Sequence, residues 1–148
     1  MIVKTPNPAK FSNLAAVACL TAKNCYAVGS ASPSSNFTAT MQTLIAHWNG
    51  SAWARVASAD LASAPRNTLL GVSCPSATSC VAVGDSRNAQ ADHTLVKRLT
   101  GNAWSIEPSP DPAGAIAASL HSVVCTSATA CVAVGDSTDP RTLVEQYG

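Results

Sequence analysis

Apolar residues in this chain fall in short alternating runs, and no stretch carries a sustained helical stripe. TLLGVSC (68–74) and CVAVGD (80–85) are rich in β-branched residues and flank the polar PSATS, the pattern of two strands joined by a tight turn. TLIAHWNG (43–50) alternates apolar and polar positions and runs into Asn49-Gly50, a strong short hairpin signal, before SAWARVA (51–57) begins a further strand. Proline- and alanine-rich connections such as EPSPDPAGAIAAS (107–119) break any helix that their alanines could support.

These runs repeat. Leu-x-x-Val-x-Cys recurs at Leu14, Val17 and Cys19, at Leu69, Val72 and Cys74, and at Leu120, Val123 and Cys125. Each copy continues from a second Cys into Ala-Val-Gly, closing at Gly29, Gly84 and Gly135, where the second strand is expected to end. Thr-Leu follows at 43–44, 94–95 and 142–143, and five residues after each Thr stands Trp48, Leu99 or Tyr147. In two copies Gly50 and Gly101 come next, each with a Trp three residues on, Trp53 and Trp104. The period is about fifty residues, the length of a four-stranded unit.

The third copy stops short of its fourth strand, and IVKTPNP (2–8) aligns with IEPSPDP (106–112), the tail of the second copy. The chain therefore reads as one domain over 1–148, with repeat cores at 14–60, 69–112 and 120–148 plus 1–8. The expected fold is all-β: three four-stranded antiparallel propeller blades, the third split between the C- and N-termini. A β-trefoil, which also packs three four-stranded units into this length, is the alternative.

Cysteine usage adds the compartment. All six Cys lie in Cys-x5-Cys pairs, so the repeat selects Cys19–Cys25, Cys74–Cys80 and Cys125–Cys131 among the possible pairings. The spacing suits neither a zinc knuckle nor a Cys-x-x-Cys redox pair. Three local disulfides imply an oxidising, extracellular setting. IVKTPNP has no apolar signal core, so an export signal is expected outside these residues.

The pattern Leu-x-x-Val-x-Cys-x-Ser-Ala-x-x-Cys-x-Ala-Val-Gly, followed by Thr-Leu-x-x-x-Trp-Asn-Gly-x-x-Trp and Pro-Ser-Pro-Asx-Pro, resembles a tandem repeat of secreted actinobacterial-type proteins. The resemblance covers essentially the whole chain, and it implies a secreted β-propeller without implying any activity. The Gly-x-x-Trp turns at 50–53 and 101–104 are also similar to the Asp-box of sialidase-like propellers, but the Asp is absent and only the hairpin shape is implied.

Few features suggest chemistry. The formal net charge is +1, with no basic patch for nucleic acid and no apolar run long enough for a membrane span. Glu107 and Glu145 are the only glutamates and are not paired by spacing, and His47, His93 and His121 occupy different repeat positions. No catalytic residue, metal ligand or cofactor is expected. Gly84-Asp85-Ser86 and Gly135-Asp136-Ser137 read as strand-ending turns capped by Asp.

Two sets of residues are candidates for binding. Trp48, Trp53, Trp104 and Tyr147 could stack on sugar rings, which makes a glycan-binding lectin the alternative function and a glycoside hydrolase a distant third. The variable segments 30–42, 85–93 and 136–141 offer Asp85, Arg87, Asp92, His93, Asp136, Asp139 and Arg141. Three blades cannot close a ring. The leading expectation is therefore a non-enzymatic structural or interaction protein that pairs with a second copy of itself. Each chain would donate Ile2, Val3, Lys4 and Thr5 to the broken blade of the other, in a six-bladed ring or an open filament; a fragment of a longer propeller is the remaining reading.

Overall fold

The computed structural model describes residues 1–34, 40–138 and 141–148, and Asp139 with most of the 30–42 loop tip lies outside them. Eleven strands account for the regular structure of the described residues, which contain no helix. Sheet 1 is the meander β1 (Phe11–Thr21), β2 (Asn24–Ser32), β3 (Gln42–Trp48) and β4 (Trp53–Val56). Sheet 2 repeats it with β5 (Arg66–Ser76), β6 (Ser79–Arg87), β7 (Asp92–Thr100) and β8 (Ala103–Glu107). Sheet 3 contains β9 (Ala118–Ser127), β10 (Ala130–Ser137) and β11 (Arg141–Tyr147), so three strands stand where the repeat predicts four. Residues 1–8 belong to no strand, and Ile2 is fully exposed.

The three cysteine pairs are bonded as the repeat predicts, each tying the first hairpin of its sheet. Three disulfides fit an oxidising environment.

One sequence expectation is corrected. Gly29, Gly84 and Gly135 do not end their strands, which run on to Ser32, Arg87 and Ser137. Each faces a bulge in the neighbouring first strand, where the register slips between Leu14 and Ala16, between Leu69 and Gly71, and beside Leu120. A Cβ at these glycines would stand about 2 Å from the carbonyl oxygen of Asn13, Thr68 or Ser119, so only Gly fits. Asp85 and Asp136 accordingly lie inside strands, paired with Thr94 and Thr142, where turns at the strand ends were expected.

Pleating gives each sheet two faces. In sheet 2 the front carries Leu69, Val72, Cys80, Ala82, Leu95, Leu99 and Trp104, and the back carries Val81, Val83 and Val96. The front of sheet 2 packs on Tyr26, Val28 and Ile45 from the back of sheet 1. Its own back packs on Leu120, Val123, Cys131, Ala133 and Tyr147 from the front of sheet 3. The first strands also touch in sequence, β1 on β5 and β5 on β9. The core is thus one joint made twice. Each buried Val or Leu in it contributes about 1.5–3 kcal/mol.

Candidate interaction surface

Polar side chains key each joint. In unit 1 the backbone N–H of Thr43 donates to Asp60 Oδ2 (3.1 Å) and its hydroxyl to Oδ1 (2.6 Å), which ties the segment after β4 back onto β3. Unit 2 repeats the clasp with Thr94 and Asp111, at 2.8 and 3.0 Å. Into the first clasp comes Lys97 from the front of sheet 2, fully buried, its Nζ 2.6–2.8 Å from Thr43 Oγ1, Ser58 Oγ, the Ala59 carbonyl and Asp60 Oδ1, four acceptors that share its three N–H donors. Burial lowers the Lys97 pKa, and the Asp60 carboxylate opposes that shift.

Glu145 holds the place of Lys97 in sheet 3 and meets the second clasp. Ser109 Oγ lies 2.8 Å from its Oε2 and 2.7 Å from Thr94 Oγ1, and the Tyr147 hydroxyl donates to the same Oε2. Burial and the neighbouring Glu145 push the Tyr147 phenol well above its ordinary pKa. In sheet 1 the corresponding residue is Ala46. Thr142 has no clasping carboxylate among the described residues, and its counterpart in the repeat alignment is Asn7.

The outermost faces have no such cover. Val81, Val83 and Val96 on the back of sheet 2 are 0% exposed, but their repeat partners Val132, Val134 and Val144 are 36, 45 and 61% exposed. Val124 joins them, and the four make an apolar face on sheet 3. At the other end, Val72 and Val123 are buried, whereas Val17 on the front of sheet 1 is 60% exposed. Val17 lines a groove of about 420 Å³ with Thr5, Leu14, Ala27 and Trp53. The two open faces are the two halves of the joint made twice inside the chain.

No protein-family model matches this chain, and neither does any curated protein. Its functional reading therefore rests on its own geometry.

The other sequence-nominated residues are scattered. Trp48 and Trp53 sit together half-buried, with ring centroids 5.7 Å apart, and Trp48 Nε1 donates to the Ala22 carbonyl. Trp104 is buried edge-on to Tyr26 across the first joint, and Tyr147 is buried in the second, so neither offers a face to a sugar. Asp85 and Asp136 share a cleft of about 310 Å³ between sheets 2 and 3 with Asp92 and His121. Burial first, and then Asp92, raise the Asp85 pKa, while His121 Nε2 lies 2.5 Å from Asp136 Oδ1. Arg87 pairs with Asp92 at 2.9 Å. His93 turns away to Asp111 (2.6 Å), and Arg141 lies at the start of β11. Among the described residues no group of three His, Cys, Asp or Glu side chains is arranged to hold a metal ion.

Sequence reasoning missed the Lys97 key and the Thr–Asp clasps. The clasps left a trace in the recurrence of Ser-x-Asp at 58–60 and 109–111, each after a recurring Thr.

Proposed function

We propose that this chain is a secreted, non-enzymatic β-propeller module that assembles with further copies of itself. The observation that carries the reading is the complementarity of the two open faces: Val132, Val134 and Val144 are equivalent to the buried back of sheet 2, and Val17 is equivalent to the buried Val72 and Val123. A joint already made twice within the chain is repeated between chains. Such a joint is heterologous, so two copies close into a six-bladed ring where the angle permits and a filament grows where it does not.

The N-terminal segment supplies the second argument. Thr5 lies beside Trp53, as Ser58 bridges Trp104 one unit later. This supports reading residues 2–8 as the tail of a preceding blade, so that in the proposed assembly Ile2, Val3, Lys4 and Thr5 pair along the free edge of β11 in the neighbouring copy. Asn7 then stands at Thr142 as Asp60 stands at Thr43. A meander of hairpins in each unit, stacked face to face, suits a propeller better than a trefoil.

Cysteine trapping tests the contact. Chains carrying Asn7→Cys mixed with chains carrying Thr142→Cys are expected to form a covalent dimer on mild oxidation, well above either variant alone. If the mixture traps no more than the single variants, the strand does not complete the neighbouring blade.

A further inference from the structure

The joint between sheets 1 and 2 has an anchor that the open faces also provide for. Trp104, on the front of sheet 2, is buried with its ring edge-on to Tyr26, at a centroid distance of 5.8 Å. Tyr26 is itself stacked on His47 at 4.6 Å, so the floor that receives the tryptophan is a tyrosine ring braced by the histidine beside it. Ser58, in the tail of unit 1, bridges Trp104 from the side.

Trp53 is the repeat partner of Trp104. It pairs with Trp48 across the β3–β4 hairpin as Trp104 pairs with Leu99, faces the same way, and lines the open groove of sheet 1 beside Thr5 and Val17. Only half-buried, it has no sheet in front of it.

The floor has a counterpart on the back of sheet 3. Val132 stands in the place of Tyr26, and Gln146 in the place of His47. Both are smaller than the rings they replace, and around them opens a cavity of about 420 Å³, lined also by Val124, Thr126, Ala130 and Tyr147. That volume lies within the range that admits a large aromatic side chain, and its apolar lining suits one.

We infer that Trp53 of one copy seats in the Val124–Val132–Gln146 cavity of a second copy and is the energetic anchor of the intermolecular joint. The inference rests on the self-assembly reading and names the residue that makes it specific. The occupant is a second copy because the internal joint already shows the same knob on the corresponding floor, continued here by the same strands in the same order. Central, well-packed tryptophans commonly dominate such contacts.

Complementation between variants tests it. Trp53→Ala destroys the knob and keeps the socket, and Val132→Asp destroys the socket and keeps the knob. Each alone is expected to weaken self-association at least about 30-fold in sedimentation equilibrium. Mixed in equal amounts they retain one intact joint, so a heterodimer is expected with no larger species. Near-UV circular dichroism checks that both are folded; if Val132→Asp is not, Gln146→Trp, which fills the cavity from its rim, replaces it.

If both folded variants self-associate as the wild type does, assembly stands and the Trp53 anchor is overturned. If both are monomeric and their mixture stays monomeric, the assignment of knob to socket is overturned. If the wild type itself is monomeric, the self-assembly reading fails and the anchor fails with it.

Discussion

Residues 80–86 and 131–137 are the same seven letters, CVAVGDS, and they live in different surroundings. In sheet 2, Val81 and Val83 are sealed between two sheets; in sheet 3, Val132 and Val134 look outward. Local sequence decides that each segment becomes the second strand of a disulfide-stapled hairpin with a bulge facing its Gly. It does not decide burial, which depends on whether another sheet lies against it. The contrast is also the strongest argument for a partner, because identical residues that seal a joint in one place are poor solvent-facing residues in another.

The sharpest way to break this comparison is to put the same charge into both copies. Val83→Asp is expected to cost about 4 kcal/mol or more, since an unpaired carboxylate enters a sealed core. Val134→Asp is expected to leave the melting of the isolated chain within about 0.5 kcal/mol of wild type while abolishing self-association. Denaturant titration and sedimentation together check both. Equal destabilisation by the two substitutions would show that the outer face is already covered.

Next in size is the polar key. Lys97→Met leaves Asp60, Thr43 and Ser58 facing a side chain that cannot donate, at an expected cost of about 3 kcal/mol. The pH dependence has a definite sign. Because the folded pKa of Lys97 is lowered, the unfolded chain binds more protons in the alkaline range below the ordinary lysine value. Wild-type stability therefore rises with pH there relative to Lys97→Met, and the deficit of the variant grows.

A smaller effect is expected from the staples. Replacing Cys125 and Cys131 together by Ser should cost about 2 kcal/mol, since each bridge closes a short loop. Urea titration of the double variant, with and without reductant, measures it. Reductant is expected to narrow the gap between variant and wild type, because it opens the same bridge in the latter.

The smallest concerns Asp85. Burial and Asp92 raise the Asp85 pKa, so the native state holds its proton more tightly than the unfolded chain does. That contribution is full below the unfolded value and is lost as pH rises through the folded value. Asp85→Asn is therefore expected to raise the melting temperature at pH 7 by a few degrees at most, with the gain vanishing near pH 3.

Much of this fold was legible in the sequence because repetition makes weak signals add. Three copies of Leu-x-x-Val-x-Cys fix the strands, their order and the disulfides. The bulges were not legible: a slip of one residue in β1, β5 and β9 leaves the pattern of apolar residues almost intact, and Gly29, Gly84 and Gly135 read as strand ends when they are the only residues that fit beside the slip. The burial of Lys97 was also hidden, since its four partners come from β3 and the tail of the preceding unit, 37 to 54 residues away. Trp53 and Trp104 look equivalent in sequence, and only the presence or absence of a sheet in front of them separates a core residue from a proposed anchor.

The central claim is that the open back of sheet 3 and the open front of sheet 1 close on each other between copies. Sedimentation velocity of the oxidised chain over a broad concentration range tests it most directly. The account predicts species at multiples of the 15.0 kDa chain, a closed pair or a growing series, that dissociate on dilution. A single 15.0 kDa species at every concentration would contradict it.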